Sequence, residues 1–94
     1  MGKRVRLSND EIATRLQKRQ GWSVVDGKLH KEFLFDNFVE AFGFMAKGAL
    51  LAEALNHHPD WSNVYNRVVI DLSTHSEGGV TGFDVEFAKK VDAI

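Results

Sequence analysis

An α+β fold is predicted, a four-stranded antiparallel sheet with three helices packed on one face, in the order α-β-β-α-β-β-α. Three observations lead there. Two pairs of β-prone runs are each joined by a two-residue turn signal, Asp26-Gly27 and Asn66-Arg67. The segment between the pairs, from about Phe38 to Asn56, carries apolar residues at helical spacing. The 94 residues, 44% hydrophobic and 27% charged, suit one globular domain over 1–94, with neither a linker nor a repeat.

The first helix is expected from about Ser8 to Gln20. Ser8 or Asn9 can cap it, Asp10 and Glu11 favour its first turn, and Gly21 offers a left-handed ending. Ile12 and Leu16 share one face, with Ala13 and Arg15 beside them. Trp22 to Val25 and Lys28 to Phe35 then read as a hairpin about Asp26-Gly27. Leu29, Phe33 and Phe35 share one parity and His30 and Glu32 the other, while Lys31 interrupts the alternation.

Asp36 or Asn37 opens the long helix. Phe42, Ala46, Ala49 and Glu53 step along it at four, three and four residues and read as its apolar stripe, extended by Phe38, Met45 and Ala52. Gly43 and Gly48 inside it admit two accounts: tolerated destabilisation, or close approach by another helix or subunit. Pro59 ends the helical region. Ser62 to Tyr65 and Val68 to Ser73 form the second hairpin, with Val68, Ile70 and Leu72 on one face. After Ser76-Glu77-Gly78-Gly79, Thr81 caps a last helix reaching about Ala93. Asp84 is its capping-box partner, and Phe83, Phe87 and Val91 are its buried stripe.

Composition excludes several classes. Twelve basic and thirteen acidic residues leave a net charge of −1, against the basic excess of a phosphate-neutralising protein, so no direct nucleic-acid partner is expected. The chain has no cysteine, which removes disulfide and thiolate chemistry. No apolar run approaches the ~20 residues of a membrane span, and the N-terminal segment lacks the apolar stretch of a secretory signal. A cytoplasmic location follows as an expectation, with the nucleus a second one in a eukaryote.

His57, His58 and His75 are the residues best suited to chemistry near neutrality, because the ordinary imidazole pKa is about 6.5. Adjacent positions diverge by about 100° on a helix, so His57 and His58 suit the two sides of a flat ligand better than one metal ion. Glu53 lies one helical turn before His57, which suggests a Glu53–His57 contact or an ordinary surface salt bridge. His75 ends the strand begun at Val68, either aimed by the sheet or simply solvated. Asp84 has a plain account as an acid in a first helical turn. Gly78-Gly79 falls short of a phosphate-binding pattern, and Trp22 and Trp61 read as core or interface residues. Neither HExxH nor HxH spacing occurs, so no metal site is expected. Ser73 and Thr74 adjoin His75 but point to opposite faces of a strand, which argues against a nucleophilic triad.

The ordered set E-x-x-x-H-H-P from Glu53 to Pro59, W-x-N-V-Y-N from Trp61 to Asn66, L-S-T-H from Leu72 to His75, and then Asp84 resembles the pterin-4a-carbinolamine dehydratase family. Gly21-Trp22 and the run NFVEAFGFM from Asn37 to Met45 resemble it too, so the likeness covers nearly the whole chain. The resemblance implies the sheet-and-helix architecture above. It also implies dehydration of 4a-hydroxytetrahydrobiopterin to quinonoid dihydropterin, in regeneration of the reduced pterin after aromatic amino-acid hydroxylation. It implies His57, His58, His75 and Asp84 as catalytic residues. Glu53, Asn56, His57, His58, Ser73, Thr74, His75 and Ser76 would bind the pterin, which is substrate and not cofactor; no other cofactor is implied. Asn56 stands where relatives often carry Asp, and Ser76 where they often carry Glu.

Further partners follow from the same resemblance: a homodimer or homotetramer through sheet edges and long helices, and an aromatic amino-acid hydroxylase or a homeodomain transcription factor. Two other functions stay open. One is a dimerisation cofactor acting through the long helix. The other is a pterin-binding paralogue of molybdopterin metabolism.

Overall fold

The computed structural model describes residues 5–16 and 21–94. Its elements are α1 (Asn9–Leu16), β1 (Ser23–Val25), β2 (Lys28–Leu34), α2 (Phe38–Leu55), β3 (Asp60–Val64), β4 (Arg67–Leu72), a 3₁₀ turn (His75–Glu77) and α3 (Gly82–Asp92). The four strands form one antiparallel sheet in the order β1-β2-β4-β3. The expected α+β architecture is therefore present. The expected last turn of the first helix, residues 17–20, lies outside the described residues.

The strand periodicity decides which sheet face is covered. Leu29 of β2 faces Leu72 of β4 across the ladder, and with Val68 and Ile70 these side chains are fully buried beneath the helices. Phe87, Ala88 and Val91 of α3, Ile12 and Leu16 of α1, and Ala41, Phe44 and Ala52 of α2 complete that core. The other sheet face carries polar cross-strand pairs. His30 Nδ1 meets Asp71 Oδ1 at 2.7 Å, and Arg67 donates to Glu32 at 2.7 Å. No helix among the described residues is long and apolar enough to cross a membrane.

The turns follow from backbone chemistry. Asp26 and Gly27 both have positive φ, 52° and 77°, as a tight hairpin requires. The second hairpin turns one residue earlier than expected, at Tyr65-Asn66, with Tyr65 at φ 51°. Asn63 selects it: its side-chain amide donates to Tyr65 O at 3.1 Å and Arg67 O at 2.8 Å, spanning the turn. At the first helix Ser8 is the cap. Its hydroxyl accepts the Glu11 N–H at 3.1 Å while its own N–H donates to the Glu11 carboxylate at 2.9 Å. That backbone bond, and then the hydroxyl, hold the Glu11 carboxyl below its ordinary pKa.

The apolar stripe assigned to α2 is corrected. Phe42, Ala46, Ala49 and Glu53 are exposed, as is Phe38; the buried face is Ala41, Phe44, Gly48 and Ala52. The helix is apolar nearly all round, so periodicity alone could not choose a side. Small residues made the choice by letting the helix lie close to the sheet. A Cβ on Gly48 would meet the Trp61 ring of β3 at 3.0 Å, so the close neighbour is a strand side chain of the same chain. A Cβ on Gly43 would meet nothing within 4 Å. In α3, Phe87 and Val91 are buried as expected, while Phe83 is only half-buried.

Lys31, which interrupts the strand pattern, points inward. Its ammonium donates to Asp92 Oδ1 at 2.9 Å and sits 4.7 Å from the centroid of the Phe33 ring, and Trp22 Nε1–H donates to Asp92 Oδ2 at 2.9 Å. The end of α3 is thereby tied to β2. Lys31 and Asp92 side chains are only 18% and 12% exposed, so the loss of one partner strands the other. Asp92→Ala is expected to cost about 3 kcal/mol, the low end for breaking a buried pair, read as a lowered urea midpoint. The double variant Lys31→Met/Asp92→Leu should recover most of that loss.

Candidate active site

The end of α2 aims the two adjacent histidines. Asn56 takes the left-handed conformation (φ 51°, ψ 45°), which asparagine tolerates better than most residues. The Asn56 N–H then bonds Glu53 O at 3.2 Å and the His57 N–H bonds Ala52 O at 3.0 Å, a Schellman closure. Helical geometry stops there, so residue 57 is not one turn above residue 53. Of the two readings of Glu53, the Glu53–His57 contact is corrected and the ordinary surface salt bridge is found, with His58 as its partner. Glu53 Oε2 meets His58 Nε2 at 2.6 Å, and both side chains are exposed.

His57 turns the other way, into the molecule. It is buried, and its Nε2 faces Oδ1 of Asp84, which is fully buried in the first turn of α3. Against an ionised Asp84 the proton of this contact belongs on Nε2, since a carboxylate can only accept. The second Asp84 oxygen accepts the Thr81 N–H at 2.9 Å and the Thr74 hydroxyl at 2.9 Å. The capping box is therefore also the mount for a histidine: the acid that closes the helix reaches His57 with its other oxygen. The Phe83 ring lies against the imidazole, with centroids 5.9 Å apart.

His75 comes from a third direction. The strand was expected to run to Ser73 and to carry His75 at its end; it stops at Leu72, and His75 opens the 3₁₀ turn instead. Thr74 N–H to Gly79 O at 2.8 Å closes the loop behind it, with Gly78 left-handed at φ 67°. A cavity of about 330 Å³ lies between the end of α2 and this loop, lined by Asn56, His57, His58, Ser73, Thr74, His75 and Ser76. Three imidazoles from two distant segments thus share one opening. Glu53 reaches it only through His58, and Asp84 stands behind His57.

The family model for pterin 4 alpha carbinolamine dehydratase matches residues 5–94. The chain belongs to this family. A Solibacter usitatus protein named for that activity is 55% identical over 89 residues, covering 95% of this chain and 94% of its own. A Brucella ovis protein of the same name is 50% identical over 93 residues, covering 97% and 96%. The crystal structure of a Brucella melitensis protein described as a transcriptional coactivator/pterin dehydratase superposes with a TM-score of 0.87 at 49% identity, covering 94% and 96%.

Against the family pattern, the sequence motifs located the cavity but not all of its supports. Thr81 and Phe83, which contact Asp84 and His57, carry in the sequence only the marks of a cap and a core residue. Their signal was present, because a capping-box acid that is also a candidate site residue places its whole turn beside the site. A second cavity of about 190 Å³ lies across the Ser73-to-His75 segment and adds Asp26, Gly27 and Lys28 of the first hairpin to its lining. Nothing in the local sequence linked that hairpin to the histidines.

Proposed function

We propose that the protein dehydrates a 4a-hydroxytetrahydropterin to the quinonoid dihydropterin and water, with the three histidines as general acids and bases. The observation that carries this is the shared cavity of His57, His58 and His75. The reaction breaks the C4a–O bond. A ring nitrogen supplies the electron pair that forms the new C=N bond, an acid protonates the departing hydroxyl, and a base takes the ring N–H proton. Proton transfers alone balance it, so the reading calls for no cofactor; the pterin is the substrate. Positioned histidines near neutral pH suit both roles.

His57 and His75 approach the cavity from different elements and serve the leaving hydroxyl, His57 as the imidazolium that keeps its Nε2–H on Asp84, delivers the proton on Nδ1 and is left as the neutral Nε2–H form. His58, at the rim, binds the pterin and helps remove the ring proton. Asp84 orients His57 and Glu53 orients His58, while Asn56, Ser73, Thr74 and Ser76 line the ring's site. The test is stopped-flow absorbance of carbinolamine breakdown with wild type and with His57→Ala, His58→Ala and His75→Ala. Wild type should accelerate breakdown and the variants should not match it; three folded variants as fast as wild type would sink the assignment.

A second reading is favoured by α2. Phe38, Val39, Phe42 and Leu50 are exposed large apolar residues on one helix, more than a solitary surface helix needs. They support association of the chain into a homodimer or homotetramer. They also support a protein-interaction role like the coactivator description of the Brucella melitensis relative. A stable monomer by sedimentation at micromolar concentration would remove the self-association.

A further inference from the structure

The hydroxyl contacts behind His57 have a direction that hydrogen counting settles. Thr74 has one hydroxyl proton, and it goes to Asp84 Oδ2 at 2.9 Å. The 2.8 Å contact between the Thr74 and Thr81 hydroxyls must then run from Thr81 O–H to Thr74 Oγ1. Thr81 Oγ1 in turn accepts the Phe83 N–H at 3.3 Å. The line therefore runs Phe83 N–H, Thr81 hydroxyl, Thr74 hydroxyl, Asp84, with the His57 Nε2–H donating to the other carboxylate oxygen. Thr74, Thr81 and Asp84 are each at most 3% exposed, so water does not compete for these bonds.

We propose that Thr74 is a positioning residue for His57: its hydroxyl, aimed by Thr81, holds Asp84 so that the His57 imidazole stays in the Nε2–H tautomer at the cavity wall. This deepens the dehydratase reading and rests on it for its catalytic consequence. It also gives Thr74 a different duty from pterin contact, because its hydroxyl is spent inside the protein. Among the described residues, the charged and titratable groups around His57 include Asp84 from α3 and, across the cavity, His58 with Glu53 from the end of α2 and His75 from the 3₁₀ turn. Of these Asp84 is the one bonded to Nε2, and Thr74 acts on Asp84.

The test pairs Thr74→Val, which keeps the shape and removes the hydroxyl, with Thr74→Ser, which keeps the hydroxyl. Imidazole ¹⁵N shifts of histidine-labelled protein, taken above neutral pH without substrate, report the His57 tautomer. Carbinolamine turnover reports kcat and KM. Wild type should show His57 as Nε2–H. Thr74→Val should mix the tautomers and lower kcat about ten- to hundredfold, the effect of one hydrogen bond to a charged group, with KM nearly unchanged. Thr74→Ser should restore both. A role in packing alone would lower stability and leave the tautomer as in wild type, and that result overturns the proposal. Should Thr74→Val fail to fold, wild type still decides: a His57 found as Nδ1–H refutes it. If wild type proves inactive on carbinolamine, the dehydratase reading falls, while the tautomer arm still rules on Thr74.

Discussion

Asp84→Ala is expected to destabilise the protein by about 3–5 kcal/mol, the largest single effect in or around the site. Three buried donors use this carboxylate: the Thr81 N–H, the Thr74 hydroxyl and the His57 Nε2–H. Each orphaned buried donor costs about 1–3 kcal/mol, and the Thr81 N–H among them is also Asp84's half of the capping box. Some relaxation toward water in the cavity keeps the total below the simple sum. A domain of this size has about 5–15 kcal/mol in all, so the variant should lose a large share of its folding free energy. Equilibrium urea denaturation followed by Trp22 and Trp61 fluorescence checks it. Asp84→Asn should lie between the two, since it keeps an acceptor oxygen but turns an amide donor toward a neighbour that also donates. A midpoint for Asp84→Ala close to wild type would mean that the network contributes nothing to stability.

Among the histidines, the largest loss of activity should follow His57→Ala, with His75→Ala close behind and His58→Ala mildest. A positioned general acid is worth ~10²–10⁴-fold, and that is the expected fall in kcat for His57→Ala. His57 is the held group, at 6% exposure with a buried partner, so its ring is set before substrate arrives. His58 and Glu53 are 57% and 77% exposed, and a surface pair in water contributes little order. Its loss should therefore appear mainly in KM. The double variant His57→Ala/His75→Ala should return breakdown to its spontaneous rate, because both proposed donors to the leaving hydroxyl are gone. A His58→Ala variant that loses more kcat than His57→Ala would reverse the assignment of roles.

Local signals in the chain were legible where the interaction was local. Asp26-Gly27 marked a turn because few other residues accept two successive positive φ values. Thr81 and Asp84 marked a helix start because the bonds that make it span three residues. The alternation of Val68, Ile70 and Leu72 marked the covered sheet face. His57, His58 and His75 stood out differently, through imidazole chemistry near neutrality and the resemblance carried by the E-x-x-x-H-H-P and L-S-T-H motifs. The second turn was misplaced by one residue because Asn63, three positions before the expected turn, selects it through its side chain.

By itself, then, the chain determined the order of elements and the sheet's inner face, both matters of period and short-range bonding. The tertiary structure alone decided which side of α2 is buried, since a helix apolar nearly all round has no preferred face until Trp61 is set against Gly48. It alone decided that His57 pairs with Asp84, 27 positions away, while His58 takes Glu53. The physical reason is one left-handed residue: Asn56 ends the helical repeat, so spacing along the chain stops predicting direction in space, and the packing of α3 supplies the partner instead.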